Sequence, residues 1–261
     1  MFENQKFDGS LLAARYAFMP NKLRYCGPDS NSELFAYTAA NQSDAGLQAM
    51  LKEFETMFPY LRLIAEANHI ADPFNYKVVE AYWIGNELLE NVTMQNFYRY
   101  LVDEQKLKKK FKPAVLEKVF GKIPVGAKPH HSFHVFNIPK RTGHYPVEHS
   151  LVTMDSCRIT PAKIKALASG SKPIAQSSKL SGMMAVEYQP LVLLGDRLEL
   201  GEMVEKEVLC EMNDKAFVKQ PKVGDWVSLH WSWVCDFLTK DQVDNLQKWT
   251  KYNLALTNLN L

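Results

Sequence analysis

The hydrophobic period of this chain changes near Pro124, and that change limits the fold more than any other single feature. Before it, apolar residues recur every three or four positions, the spacing of one helix face. After it, short β-branched and aromatic runs stand between Gly, Pro and Ser, the punctuation of strands and turns. A chain of 261 residues divided this way can bury a core in each part. The expectation is an α+β protein. Residues 1–125 form a helical domain, and residues 126–261 form a small, mostly antiparallel β-barrel closed by a C-terminal helix.

In the first part Leu11, Leu12, Tyr16 and Met19 predict an amphipathic helix ended by Pro20. Ser32 is placed to cap a helix through Ala40. Leu47, Met50, Leu51, Phe54, Met57, Phe58, Leu61 and Ile64 predict two helices meeting at a bend at Pro59. Asp72-Pro73 is a start signal for a helix to about Glu90. Gly85 inside that helix costs roughly 1 kcal/mol against alanine, so it implies a close contact. Thr93 caps a helix through Asp103, and another runs over 113–120. In the second part the predicted strands are 132–138, 151–164, 184–194, 204–211 and 226–234, with a long hairpin loop at 165–182. Thr239 caps the last helix, whose apolar positions are Val243, Leu246, Trp249, Leu254 and Leu256.

Apolar residues make up 46% and charged residues 23%, with a formal charge of +2, so nothing drives the chain towards nucleic acid or an acidic membrane. The run Lys106 to Lys112 accordingly reads as a solvated turn and face. No apolar run approaches the ~20 residues of a membrane span, and the start lacks a secretion signal, so a cytoplasmic location is expected. The four cysteines, Cys26, Cys157, Cys210 and Cys235, have no Cys-x-x-Cys or zinc-ribbon spacing. In a reducing compartment each is a small core residue or a reactive or ligating thiol. Phosphate-cradling loops, dinucleotide fingerprints and nucleophile elbows are missing from the sequence.

The stretch Val223 to Asp236 reads as a turn feeding a strand. Alternation puts Val227, Leu229, Trp231 and Trp233 on a core face and Trp226, Ser228, His230 and Ser232 on a polar one. There His230 either binds a metal or is a rim histidine bonded to a backbone carbonyl. Cys157 opens a strand that Pro161 confines to an edge or bulge, so its thiol is expected at an accessible rim, where Arg158 and Lys163 favour the thiolate. His130, His131 and His134 cluster beside the barrel. On a strand His130 and His134 stand about 13 Å apart, too far to share an ion; on a helix they are ~6 Å apart and can. The bland alternative is a polar strand end. Cys26 in Tyr25-Cys26-Gly27-Pro28 is a turn cysteine with a functional alternative, and Tyr82, Trp83, Gly85 and Asn86 either line a pocket or pack a core.

Two segments taken together resemble the HypC family of nickel-iron hydrogenase maturation chaperones. Cys157, Pro161 and Lys163 stand in the spacing of that family's Met-Cys-x-x-x-Pro-x-Lys start. Val223, Gly224, Asp225, Trp226, Val227, Leu229 and His230, leading to Asp241, are similar to its Val-Gly-Asp-aromatic-Val-x-aliphatic-His strand and acidic helix. The resemblance covers roughly residues 155–255, and here the cysteine is internal rather than at the chain start. It implies a barrel of the oligonucleotide-binding type and Cys157 and His230 as ligands of iron carrying cyanide and carbon monoxide. The implied partners are a maturation protein or the hydrogenase large subunit. His130, His131 and His134 are the candidates for extra ligands, with zinc as the second metal. Two rival expectations are an iron or zinc enzyme with a His/Cys site between the domains, and a docking module without chemistry.

Overall fold

In the computed structural model, which describes residues 8–139, 144–145, 147–167 and 182–259, helix α1 (Gly9–Lys22) lies between the other helices and the barrel. Asp8 caps it by accepting from the Leu11 amide at 3.1 Å. The helix does not stop at Pro20 but runs through it to Lys22. The proline sits in the last turn, where its own carbonyl takes the Tyr25 amide at 2.8 Å instead of extending the helix.

The remaining helices of the first part are α2 (Asn31–Ala40), α3 (Ala45–Lys52), α4 (Met57–Ala67), α5 (Tyr76–Trp83), α6 (Met94–Asp103), α7 (Leu107–Lys110) and α8 (Pro113–Phe120). Thr93 caps α6 as the sequence predicts. Ser32 is not a cap: α2 begins two residues earlier than that cap implies, after Ser30. Pro59 is not the bend, because the break falls between Lys52 and Met57 and Pro59 sits in the first turn of α4, where its missing amide has no helical partner to lose. The helix expected from Pro73 to Glu90 is shorter. Asp72 accepts the Phe74 amide in a local turn, Asn75 caps α5, and Gly85 at φ 94° ends it. A Cβ at Gly85 would stand 2.0 Å from Cδ1 of Trp249, so the glycine does mark a close approach.

Two more helices precede the barrel, α9 (His131–Asn137) and α10 (Leu151–Cys157). The first replaces the predicted strand 132–138, and the second replaces the first half of the predicted strand 151–164, which is extended from Thr160 on. Residues 131–137 are helical because His130 accepts the Ser132 amide at 3.1 Å and starts a turn. Residues 151–157 are helical because Ser150 and Thr153 form a reciprocal capping box.

The strands are β1 (Thr160–Ala166), β2 (Met183–Tyr188), β3 (Leu191–Leu194), β4 (Arg197–Leu200), β5 (Val204–Leu209), β6 (Glu211–Met212), β7 (Lys215–Ala216), β8 (Trp226–His230) and β9 (Trp233–Phe237). Hydrogen-bonded neighbours run β1-β2-β5-β9-β8 and return to β1 as a closed ring, with β3-β4 and β6-β7 as separate hairpins. The β5–β9 contact is a single parallel pair, Leu209 with Trp233; the other pairs are antiparallel. Pro161 lies before the first β1–β2 pair, Lys163 with Glu187, so its missing amide costs that ladder nothing. Most of the loop expected at 165–182 lies outside the described residues, and Lys165 and Ala166 belong to β1.

The run 226–234 is two strands, not one. Trp231 and Ser232 at φ 52° and 58° make the turn between them, the mirror-image geometry that matches strand twist. On β8, Val227 and Leu229 enter the barrel core with Ala162, Val186 and Val208. The other face of β8 is not solvated as alternation suggested. Ser228 and His230 are buried because α1 covers them, with the Tyr16 hydroxyl 3.0 Å from Ser228 Oγ. One hydrophobic cluster runs through both parts and includes Phe18 of α1, Leu61 of α4, Trp233 of β9 and Trp249 of the closing helix α11 (Lys240–Thr257). Thr239 and Gln242 cap α11 reciprocally. Among the described residues no helix is long and apolar enough to cross a membrane.

Candidate metal centre

Three element ends meet where the helices cover the barrel. His131 is the first residue of α9, Cys157 the last of α10 and His230 the last of β8. One donor atom from each lies within 4.8 Å of the other two, and all three residues are buried. Antiparallel pairing of β1 with β8, Thr160 opposite Leu229, brings the residue ending α10 beside the residue ending β8. The Trp231 amide then donates to the Ser156 carbonyl at 2.7 Å, tying the two segments one residue from Cys157 and one from His230. The third segment is tied by His131, whose Nε2 donates to the Cys157 carbonyl at 2.9 Å.

These bonds also place the ring protons. A carbonyl only accepts, so the imidazole nitrogen facing it carries hydrogen. His131 is thereby protonated on Nε2, with its lone pair on Nδ1, 3.2 Å from the Tyr82 hydroxyl. His230 points Nδ1 at the Tyr16 carbonyl at 2.6 Å, which puts its lone pair on Nε2. Burial pushes the His131 imidazole well below its ordinary range, neighbouring His230 adds to this, and the Cys157 carbonyl opposes it. The ring is therefore neutral, the form that binds a metal.

The three residues line a cavity of about 30 Å³, with Phe54, Met57, Tyr82 and Trp83 as apolar walls. The Trp83 ring stands 4.5 Å from the His131 ring and 5.7 Å from the His230 ring, and stacks on Tyr16. Tyr82 and Trp83 belong both to the wall and to the core. Cys26, half-buried, and His134, one turn beyond His131, line the same cavity. His134 Nδ1 is 3.4 Å from the Tyr60 hydroxyl.

His130 is not part of the cluster. Its Nδ1 accepts from the Ser132 amide as the cap of α9, and its ring stacks on Trp249 at 5.7 Å. Pro161 and Lys163 lie along β1, paired with Ser228 and Trp226. Cys157 differs from expectation in two ways. It ends a helix instead of opening a strand, and it is 2% exposed instead of lying at an accessible rim. Arg158 is likewise buried, but its guanidinium is engaged by Asp155 at 2.9 Å and by the Gln189 carbonyl. That pairing fixes the end of α10. The sequence missed the Tyr16 carbonyl and the Tyr82 hydroxyl as partners of the His230 and His131 rings. Neither carries a local signal, since each reaches its histidine across the fold.

A thiolate and two imidazoles suit a borderline or soft transition ion. Donors about 2.0–2.3 Å from an ion are roughly 3–4 Å from each other, so the observed limit of 4.8 Å requires only a small contraction. Three protein donors would leave such an ion at least one coordination position for a further ligand.

The fold and the site together define an α+β protein with a buried two-histidine, one-cysteine cluster between a helical layer and a ring of strands. The chain belongs to DUF6390, a family of unknown function, whose sequence profile matches residues 5–261. No curated protein and no solved structure matches it.

Proposed function

We propose that the protein is a metal-handling accessory of nickel-iron hydrogenase assembly, holding an iron fragment through Cys157 and His230, with His131 as third ligand. The ring of strands is read as an oligonucleotide-binding-type barrel, and the partner as a maturation protein or the hydrogenase large subunit. The observation that carries the reading is the convergence of the three donor atoms within 4.8 Å. Cys157 and His230 come from the two segments that resemble HypC, and a third donor from outside that resemblance completes the set. Burial suits a cargo that must be kept from water and oxygen, and the neutral His131 suits retention without proton competition. Bound there, iron supplies a centre able to carry strong-field ligands; the chain supplies the donors, their tautomers and a dry wall.

The test is metal content and infrared absorption of protein prepared without oxygen alongside the maturation machinery. Iron near one equivalent with bands in the cyanide and carbonyl region is expected. Both should be lost in Cys157→Ala and His230→Ala and reduced in His131→Ala. Absence of iron in the wild type, or iron retained in the first two variants, refutes the reading.

A second reading, an iron or zinc enzyme, is favoured by the apolar cavity that the three donors line, beside which a three-donor ion would have a position to spare. Catalytic turnover of a small substrate by metal-loaded protein without any partner would select it.

A further inference from the structure

Pro20 is the one residue of α1 that cannot donate to the helix, and the carbonyl it leaves is the one that holds His230. In an α-helix the amide of residue 20 serves the carbonyl of residue 16. Proline has no amide hydrogen, so the Tyr16 carbonyl loses its donor from four residues on. Tyr16 is fully buried, so water cannot reach in to replace that donor. His230 Nδ1 lies 2.6 Å from this oxygen, from an element 214 residues away. A proline in a helix interior costs roughly 3 kcal/mol, yet α1 continues through it to Lys22. The bond to His230 is the compensation the structure shows. Pro20 also lines the cavity that holds the three donors.

We propose that Pro20 is a positioning residue for the metal centre, whose missing amide reserves the Tyr16 carbonyl for His230 Nδ1–H and so commits Nε2 as the ligating nitrogen. The proposal rests on the metal reading for its purpose but not for its geometry. A neutral imidazole has one proton to place. With the carbonyl reserved, that proton is on Nδ1 before any ion arrives, and loading requires no tautomer change. An amide at position 20 would compete for the same oxygen, weakening the hold on the ring. Outer partners of this kind alter metal affinity by roughly 10–100-fold.

The experiment compares wild type, Pro20→Ala, and a full-length chain carrying an α-hydroxy acid at position 20, which forms a backbone ester and again lacks the amide hydrogen but has no ring. Nitrogen-15 spectra of metal-free protein at neutral pH read the His230 tautomer, and anaerobic titration with Co(II) reads affinity. Wild type is expected as the single Nδ1–H tautomer, Pro20→Ala as a mixture with about tenfold weaker Co(II) binding, and the ester chain as wild type in both. Thermal unfolding confirms that all three fold. A wild-type tautomer and affinity in Pro20→Ala overturns the proposal, as does an ester chain that behaves like Pro20→Ala, because the ring and not the missing amide would then matter. If Co(II) binds none of the three but the tautomers follow this pattern, the positioning stands and the metal reading fails.

Discussion

Gly85→Ala tests how tightly the closing helix α11 is locked to the helices around the site. The glycine follows α5 at φ 94°, where an L-residue is strained by about 1–2 kcal/mol. The added Cβ would stand 2.0 Å from Trp249 Cδ1 and 2.5 Å from Nε1, well inside van der Waals contact. Trp249 is 3% exposed and backed by the His130 ring, so it has little room to retreat. Overpacking of this kind costs about 1–3 kcal/mol, against which lost freedom of the unfolded chain returns about 0.4–1 kcal/mol. The net expectation is a loss of about 2–4 kcal/mol, read by urea unfolding at constant m-value. Gly195→Ala is the matched control. It has φ 60° but nothing within 4 Å of the new Cβ, so it bears the backbone strain alone. A further consequence links stability to the site. Trp249 pushed outward displaces the His130 ring that caps α9, and α9 begins with His131. Metal affinity should therefore fall in Gly85→Ala and not in Gly195→Ala. Equal stability losses in the two variants would refute the argument, because the Trp249 contact would then contribute nothing.

Three other outcomes are expected. Burial holds the His130 imidazole down to about 4 from an ordinary 6.5, against an opposing contribution from the Ile84 backbone. Because the unfolded chain takes up the proton first, stability is full above pH 6.5 and falls on acidification, by about 2 kcal/mol from His130 alone at pH 5 at 1.36 kcal/mol per unit. His131 acts in the same direction, while burial raises Asp236 and makes it act in the opposite one; unfolding curves at pH 7 and pH 5 that coincide would contradict the assignment of His130 as a buried neutral cap. Tyr16→Phe removes the hydroxyl bonded to Ser228 but keeps the carbonyl that holds His230, so about 1 kcal/mol of stability should be lost with metal affinity unchanged. Thr239→Ala breaks the capping box of α11 and should cost about 1 kcal/mol in thermal or urea unfolding, whereas Thr239→Ser should cost little.

The parts of the fold legible in the sequence are those that local chemistry decides. Thr93 and Thr239 cap helices because a hydroxyl before a helical run has an unsatisfied amide to serve. Gly85 announced a close approach because nothing but crowding or a positive φ repays its cost in a helical run. The segments 131–137 and 151–157 carry a strand-like pattern although both are seven-residue helices, because they are too short to show a period. Their type is decided by one capping interaction each, from His130 and from Ser150 with Thr153.

The site shows the same division at higher stakes. Its donors were visible as residue types, but their burial was not, because it comes from side chains remote in sequence: α1 over His230, and Phe54, Met57, Tyr82 and Trp83 as the walls of the cavity. Alternation along β8 correctly separated His230 from the barrel core; it could not say that the second face meets a helix instead of water. The two readings of His230 offered by its sequence position, a metal ligand and a ring bonded to a backbone carbonyl, are compatible, and the structure shows the second of them on Nδ1. The carbonyl bond engages Nδ1, so a metal ligand at this position would use Nε2. Pro20, read from sequence as a helix stop, is the residue that makes that carbonyl available. A buried site assembled from element ends thus depends on a residue whose local reading, a helix stop, differs from the structure, where α1 runs on to Lys22, and whose consequence lies on another part of the chain.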